Sequence, residues 1–158
     1  MIAAPFTGFA AVVRPDWIDA NGHMNLAWYV LLFDQATDLL FTALGIGDSY
    51  RTARAHALFA VEAHTLYRRE LVVGEEVRVR SLLLGADGKR LHLAHEMLHG
   101  ADGGEVAMQE LMFLHVGLAT RRVAPWPDDV AKGIAAAVAA HGALPRPTWI
   151  GRRIALAS

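Results

Sequence analysis

The segment 26–44 is apolar on most of its surface rather than along one stripe, and this feature most constrains the fold. Its apolar positions recur with the spacing of a helix, and further large apolar side chains fall between them. A helix that is apolar on most sides must be enclosed by other structure. The segment therefore predicts a long central helix, with Asn25 as its N-cap and Gly45 as its C-terminal stop.

Four later segments, rich in Val, Leu, Phe and Tyr, predict β-strands. These segments are 58–71, 77–84, 90–99 and 106–118. The sequences VVGEE, GADGK and GADGGE between them are typical of short hairpin turns. Four strands joined by tight turns predict an antiparallel meander, and the segment 47–56 before them is predicted to be a loop.

Two further elements flank this region. Residues 6–13 suit a strand, and PWPDDVAKGIAAAVAAHGALPRP predicts an alanine-rich helix bounded by prolines. We find no repeat and no linker, so residues 1–158 are predicted to form one domain. The order of elements predicts the α+β class, with an antiparallel sheet wrapped around a long central helix and a C-terminal helix.

The composition excludes several classes of function. The formal net charge of -1 does not suggest a nucleic-acid partner, and the absence of cysteine excludes thiol nucleophiles and thiolate metal sites. The N-terminus lacks the pattern of a signal peptide, and no run reaches the ~20 apolar residues of a membrane span. We therefore expect a soluble, cytoplasmic protein that binds neither nucleic acid nor membrane.

A polar cluster, DANGHMN, occupies residues 19–25 directly before the central helix. One interpretation is a loop whose Asp and Asn side chains satisfy backbone groups. The alternative uses the free N–H groups of the helix start to bind an anionic oxygen, while Asp19 acts as nucleophile or general base. His23 either bonds across a subunit interface or orients Asp19 or the substrate carbonyl.

The DANGHMN cluster, followed by Tyr29 and an apolar helix that carries Asp34, resembles the signature of hotdog acyl-CoA thioesterases of the 4-hydroxybenzoyl-CoA thioesterase type. The resemblance implies that Asp19 is the catalytic carboxylate and that backbone N–H groups near Asn25 and Leu26 polarise the thioester carbonyl.

It also implies a homodimer or a dimer of dimers, and no separate cofactor, since coenzyme A is part of the substrate. A hotdog hydratase or dehydratase and a non-catalytic acyl-CoA-binding module are the alternatives.

Three later segments resemble the thioesterases of bacterial carnitine and betaine catabolism, which are proposed to act on betainyl-CoA. These segments are VEAHTLYRRELVVGEEV, DGKRLHLAHEM and MQELMFLHVGLATRRVAPWP. Proteins recognise a trimethylammonium group with aromatic faces, often helped by a carboxylate. The candidate substrate-binding residues are the aromatic Trp17, Trp28, Tyr29, Phe33 and Tyr67, together with Glu62, His64 and Arg68.

Glu62 is expected either to pair with a cation such as Arg68 or to face a polar pocket. Coenzyme A phosphates need cations, and the candidates are Arg51, Arg54, Arg68, Arg69, Lys89 and Arg90.

The remaining ionisable residues are predicted to be structural. His92 and His95 should point to opposite faces of a strand, and the spacing of the histidines predicts no metal site. Asp16 is expected to be an exposed turn residue. Asp34 and Asp38 share a helical face and are expected to bind a sheet-borne arginine or a backbone group rather than to act in catalysis.

Overall fold

The computed structural model describes residues 2–156. In chain order the strands are β1 (Phe6–Val12), β2 (His56–Tyr67), β3 (Glu76–Ala86), β4 (Arg90–His99), β5 (Glu105–Gly117) and β6 (Arg122–Val123). The helices are α1 (Leu26–Ala43), α2 (Asp48–Arg54) and α3 (Asp128–Gly142). A short 3-10 turn, Pro15–Trp17, lies between β1 and α1.

The central helix α1 has the predicted ends. The Asn25 side chain accepts the N–H of Ala27 at 3.0 Å, and Gly45 follows the helix with a φ of +73°, a conformation that glycine adopts without strain. One side of α1 is packed in the core through residues such as Leu32 and Leu40. The other side is open in the single chain, where large apolar side chains are exposed: Val30, Leu31 and Leu39.

The sheet is antiparallel with the order β1-β3-β4-β5-β2, and β6 pairs with β5. The predicted four-strand meander is therefore wrong: only β3, β4 and β5 are consecutive neighbours, and β2 forms the edge beside β5. The turn VVGEE does not close a hairpin with β2. Leu71 is fully buried, its carbonyl accepts the N–H of Met24, and the N–H of Gly74 binds the carbonyl of Val13. These contacts carry the chain across to the opposite edge of the sheet.

The segment predicted as a loop contains helix α2. Its residue Tyr50 is buried, and the hydroxyl of Tyr50 lies 2.8 Å from Nε2 of His115 on β5. Strand β2 ends at Tyr67 rather than at residue 71, because the following residues make the connection described above. The C-terminal helix is confirmed as α3, which packs on β3 near the buried residue Ile134.

A buried polar group joins the sheet to the central helix. His95 on β4 is completely buried, with Nδ1 2.8 Å from the Ser81 hydroxyl and Nε2 2.9 Å from the Thr37 hydroxyl. Because the Thr37 hydroxyl donates to the carbonyl of Phe33, it accepts the proton of His95 Nε2, and Nδ1 accepts from Ser81. His95 is therefore a neutral, fully hydrogen-bonded core residue.

The antiparallel sheet curls around α1, and this is the predicted hotdog arrangement of the α+β class. No single helix within residues 2–156 is long and apolar enough to cross a membrane. Only α1 and α2 taken together, across a 59° bend, reach that length and composition.

Candidate active site

A cleft of about 780 Å³ opens in front of the N-terminus of α1. It is bounded by the 19–25 loop, the first turn of α1 and the chain that follows β2. Its lining residues are Asp19, Asn21, His23, Met24, Leu26, Tyr29, Tyr67, Arg68, Arg69 and Glu70. Five residues of the predicted site other than Asp19 are therefore brought together with it: His23, Leu26, Tyr29, Tyr67 and Arg68.

The loop before α1 holds the Asp19 carboxylate in place. The N–H of Asp19 donates to the carbonyl of His23 and the N–H of Gly22 to the carbonyl of Asp19, each at 3.0 Å. Gly22 has a φ of +81°, which favours glycine at this turn. Asp19 Oδ1 accepts the N–H of Asn21 at 2.8 Å, whereas Oδ2 has no hydrogen-bond partner within residues 2–156. One carboxylate oxygen is therefore anchored, and the other is unpaired in the described part of the chain.

The start of α1 offers one free backbone donor. The N–H of Asn25 donates to the carbonyl of Trp17, and the N–H groups of Ala27 and Trp28 donate to the side chain and carbonyl of Asn25. In the described part of the chain, the N–H of Leu26 has no acceptor. Of the two predicted oxyanion donors, only the N–H of Leu26 is unengaged within residues 2–156, because the N–H of Asn25 donates to the carbonyl of Trp17.

His23 contacts an acidic residue that the sequence analysis did not select. Its Nδ1 lies 3.2 Å from Oε2 of Glu70, and both side chains line the cleft. The His23 side chain makes no hydrogen bond to Asp19; only its backbone carbonyl does. Glu70 follows the predicted residues Tyr67 and Arg68 closely in the chain, but no spacing or motif in the sequence distinguishes it.

Two of the predicted aromatic residues line the cleft. Tyr29 and Tyr67 pack edge to face with ring centroids 5.4 Å apart, and the hydroxyl of Tyr29 donates to the carbonyl of Arg69 at 3.2 Å. Burial is the main cause that raises the pKa of Tyr29, and the nearby Glu70 carboxylate acts in the same direction. The Tyr29 phenol is therefore neutral at physiological pH.

The other three aromatic candidates do not line this cleft. Trp17 and Trp28 stack on each other with centroids 5.0 Å apart, and Trp17 belongs to the buried core. Phe33 is 0% exposed and stacks on His95. The prediction that these residues bind substrate is not supported within one chain, because they complete the packing between α1, the sheet and the 15–17 turn.

Glu62 and His64 lie in a different cleft, on the outer face of β2. This second cleft, of about 520 Å³, is also bounded by His92 and Glu110, whose side chains are 2.7 Å apart, and by residues 151–154. Glu62 makes no ion pair with Arg68 within residues 2–156 and faces this polar cleft instead. The single chain therefore does not bring Glu62 or His64 to Asp19.

Most of the candidate cations for coenzyme A are already paired with carboxylates. These pairs are Arg51–Asp48, Arg54–Asp129, Arg69–Asp102 and Arg90–Asp87, at 3.0, 2.6, 2.7 and 2.7 Å. Arg68 lines the Asp19 cleft and has no carboxylate partner in the described part of the chain. It is therefore the cation of the cleft that remains available to an anionic ligand, whereas Lys89 lies outside the lining.

The remaining carboxylates lie outside the cleft. Asp16 is exposed and pairs with Arg14 at 3.0 Å, as expected of a turn residue. Asp34 and Asp38 bind no arginine or backbone group within residues 2–156, contrary to the prediction; they border a small cleft between α1, α2 and β2. Burial, followed by the charges of Asp34 and Asp48, raises the pKa of Asp38.

The described histidines form no metal site. As predicted, His92 and His95 lie on opposite faces of β4: His92 contacts Glu110 on the outer face, whereas His95 contacts α1 in the core. No group of three or more His, Asp or Glu residues within 2–156 is arranged to hold a metal ion.

Known proteins resemble this chain over most of its length. Residues 13–134 match the model of the thioesterase-like superfamily. The chain is 41% identical to the betainyl-CoA thioesterase of Pseudomonas aeruginosa, over 95% of this chain and 94% of that protein. It is 36% identical to the L-carnitine dehydrogenase/betainyl-CoA thioesterase of Agrobacterium fabrum, over 78% of this chain and 25% of that longer protein.

A solved structure from Staphylococcus aureus, in complex with CoA, superposes with a TM-score of 0.90 at 29% identity, over 99% of this chain and 98% of that one. The family match covers most of the chain, and the relatives and the fold agree with it. The chain therefore belongs to the thioesterase-like superfamily.

Proposed function

We propose that this acyl-CoA thioester hydrolase acts on betainyl-CoA, with Asp19 as its catalytic carboxylate. The observation that carries the proposal is the free Oδ2 of Asp19 in the same cleft as the unengaged N–H of Leu26. The betainyl-CoA thioesterase of Pseudomonas aeruginosa supports the choice of substrate. The reaction needs no separate cofactor, and a coenzyme A thioester as substrate is consistent with a cytoplasmic enzyme.

The cleft supports two routes to the same products. In the first, Asp19 Oδ2 attacks the thioester carbon, the C–S bond breaks, coenzyme A leaves as the thiolate, and water hydrolyses the resulting mixed anhydride. In the second, Asp19 accepts a proton from a water molecule that attacks the same carbon, and the C–S bond then breaks so that coenzyme A leaves as the thiolate. In both routes the N–H of Leu26 and the positive end of the α1 dipole stabilise the developing oxyanion.

The cationic substrate leads to a testable selectivity. The cleft offers the Tyr67 ring, packed against Tyr29, and the Glu70 carboxylate to a trimethylammonium group. A cation–π contact contributes about 0.5–2 kcal/mol. We expect kcat/KM for betainyl-CoA to exceed that for 3,3-dimethylbutyryl-CoA, its neutral isostere, by about tenfold or more, as measured by free-thiol release. Equal values for the two thioesters would exclude recognition of the cationic group.

We also propose that the enzyme is a homodimer in which the edge strand β2 pairs with its copy. The edge carries exposed apolar residues, Val61 at 54% and Tyr67 at 46%, and Leu26, which is 62% exposed, lines the same cleft as Tyr67. Unpaired edges and large apolar patches favour association. Antiparallel pairing over the whole strand would set the partner's β2 start opposite Tyr67, at the border of the Asp19 cleft.

This proposal predicts a dimeric mass at micromolar concentration in light scattering. The Val61→Asp variant should shift the mass towards the monomer and lose activity together with it, because it introduces two like charges near the two-fold axis. A matched change on the opposite edge strand, Thr7→Asp on β1, should leave the dimer intact. A monomeric wild-type mass with full activity would refute the proposal.

A further inference from the structure

Glu70 is an acidic side chain in the cleft whose charge no arginine neutralises. Its side chain is 71% exposed, and its only ion-pair contact within residues 2–156 is the 3.2 Å approach to His23. The neighbouring Arg69 points to other partners, Asp102 at 2.7 Å and Glu75 at 3.9 Å. His23 is therefore the one cationic or basic side chain that contacts Glu70 within residues 2–156.

We propose that Glu70 is the specificity-determining counter-charge for the cationic acyl group. The inference rests on the proposed function and adds a residue to it. Glu70 lies in the same cleft as the half-exposed ring of Tyr67, so one wall of the cleft combines an aromatic surface with a carboxylate. This combination matches a trimethylammonium group, which cannot donate hydrogen bonds and is bound through its charge.

The short length of the betainyl group favours Glu70 over Glu62 as the counter-charge. Only one methylene separates its nitrogen from the thioester carbon, so the counter-charge must lie in the cleft where the carbon is attacked. Glu70 lines the cleft that contains Asp19 and Leu26, whereas Glu62 lines the cleft on the outer face of the sheet. Asp19 itself loses its negative charge during the reaction, when it is acylated as the nucleophile or protonated as the base. A second carboxylate is therefore needed to hold the cation throughout.

Arg68 is suited to bind the anionic end of the substrate, while Glu70 binds the cationic end. It lines the same cleft and has no carboxylate partner in the described chain, so the phosphates of coenzyme A are its natural ligands. With Arg68 bound to phosphate, Glu70 remains free for the cation. Tyr67, Arg68 and Glu70 thus place an aromatic ring, a cation and a carboxylate on one short segment that lines the cleft.

The test compares Glu70→Gln with the wild type on betainyl-CoA and 3,3-dimethylbutyryl-CoA. The ratio of the two kcat/KM values should fall by about fivefold, the upper end for one exposed ion pair, and the loss should come from the betainyl substrate alone. The Glu70→Asp variant should restore part of the ratio. The Glu76→Gln variant removes an exposed carboxylate of β3 that pairs with Arg78, and it should retain the wild-type ratio.

The outcomes separate this inference from the proposed function. If the wild type prefers betainyl-CoA and Glu70→Gln keeps the full preference, Glu70 is not the counter-charge, although the proposed substrate stands. If Glu62→Gln loses the preference instead, the cation is recognised from the outer cleft and the inference is overturned. If the wild type shows no preference, both the cationic substrate and the role of Glu70 are refuted.

Discussion

Replacing Asp19 with asparagine is expected to lower turnover by about a hundredfold or more, the low end for losing a general base or nucleophile. The amide oxygen still accepts the N–H of Asn21, and the turn through Gly22 is unchanged, so the loop should keep its shape. Only the charge of the free Oδ2 position is lost. Asp19→Asn should therefore reduce kcat while the fold and the affinity for coenzyme A remain close to those of the wild type.

The control for this experiment is Asp16→Asn. Asp16 is three residues earlier, is exposed, and pairs with Arg14 outside the cleft, so its loss should leave kcat within about twofold, as expected for an exposed surface pair. Free-thiol release gives the turnover, and thermal unfolding checks the fold of both variants. Near-normal turnover by Asp19→Asn would assign the chemistry to another group.

Acidification is expected to destabilise the fold through His95. Burial lowers the pKa of His95 to about 3, whereas an unfolded histidine titrates near 6.5. As the pH falls below about 6.5, the unfolded chain binds a proton that the folded chain excludes, so the stabilisation present at neutral pH is lost progressively towards pH 3. The free energy of unfolding should fall by about 2 kcal/mol between pH 8 and pH 5 from this residue alone.

Urea unfolding at pH 8, 6 and 5 measures this change in the free energy of unfolding. Most carboxylates titrate below pH 5, so they contribute little over this range. Burial also lowers the pKa of His115 and His141, so their contributions have the same sign. The His95→Gln variant should be less stable at pH 8 and should lose less stability on acidification. An unfolding free energy that is constant from pH 8 to pH 5, or an equal pH dependence in the variant, would contradict the account of His95.

Local signals in the sequence predicted the elements near the site well. The capping side chain of Asn25 and the stop at Gly45 depend on residues within a few positions of the helix ends, so their chemistry is visible in the sequence. The strand order is set by distant contacts instead. The turn sequence VVGEE suggests a hairpin, but the burial of Leu71 next to Met24 carries the chain to the other edge of the sheet.

The same contrast between local and distant contacts explains which site residues could be predicted from the sequence. Asp19, His23 and Leu26 are close in the chain, and their clustering at a helix start could be predicted. The face of the sheet on which Glu62 lies depends on the edge position of β2 and on the irregularity between Ala60 and Glu62, neither of which the sequence reveals. Glu70 could not be selected because its contact with His23 forms only after the chain beyond β2 folds back along the cleft.

The most direct test of hydrolysis at this cleft is the fate of betainyl-CoA in ¹⁸O-labelled water with the wild-type protein in excess. We predict one equivalent of free coenzyme A thiol and one of betaine, formed at least a hundredfold faster than by Asp19→Asn. The ¹⁸O atom should appear in the betaine carboxylate where water attacks the acyl carbon, or in Asp19 where water attacks the Asp19 carbon of a mixed anhydride. Betainyl-CoA that binds but is recovered unchanged would contradict the account, and it would identify the protein as a non-catalytic acyl-CoA-binding module.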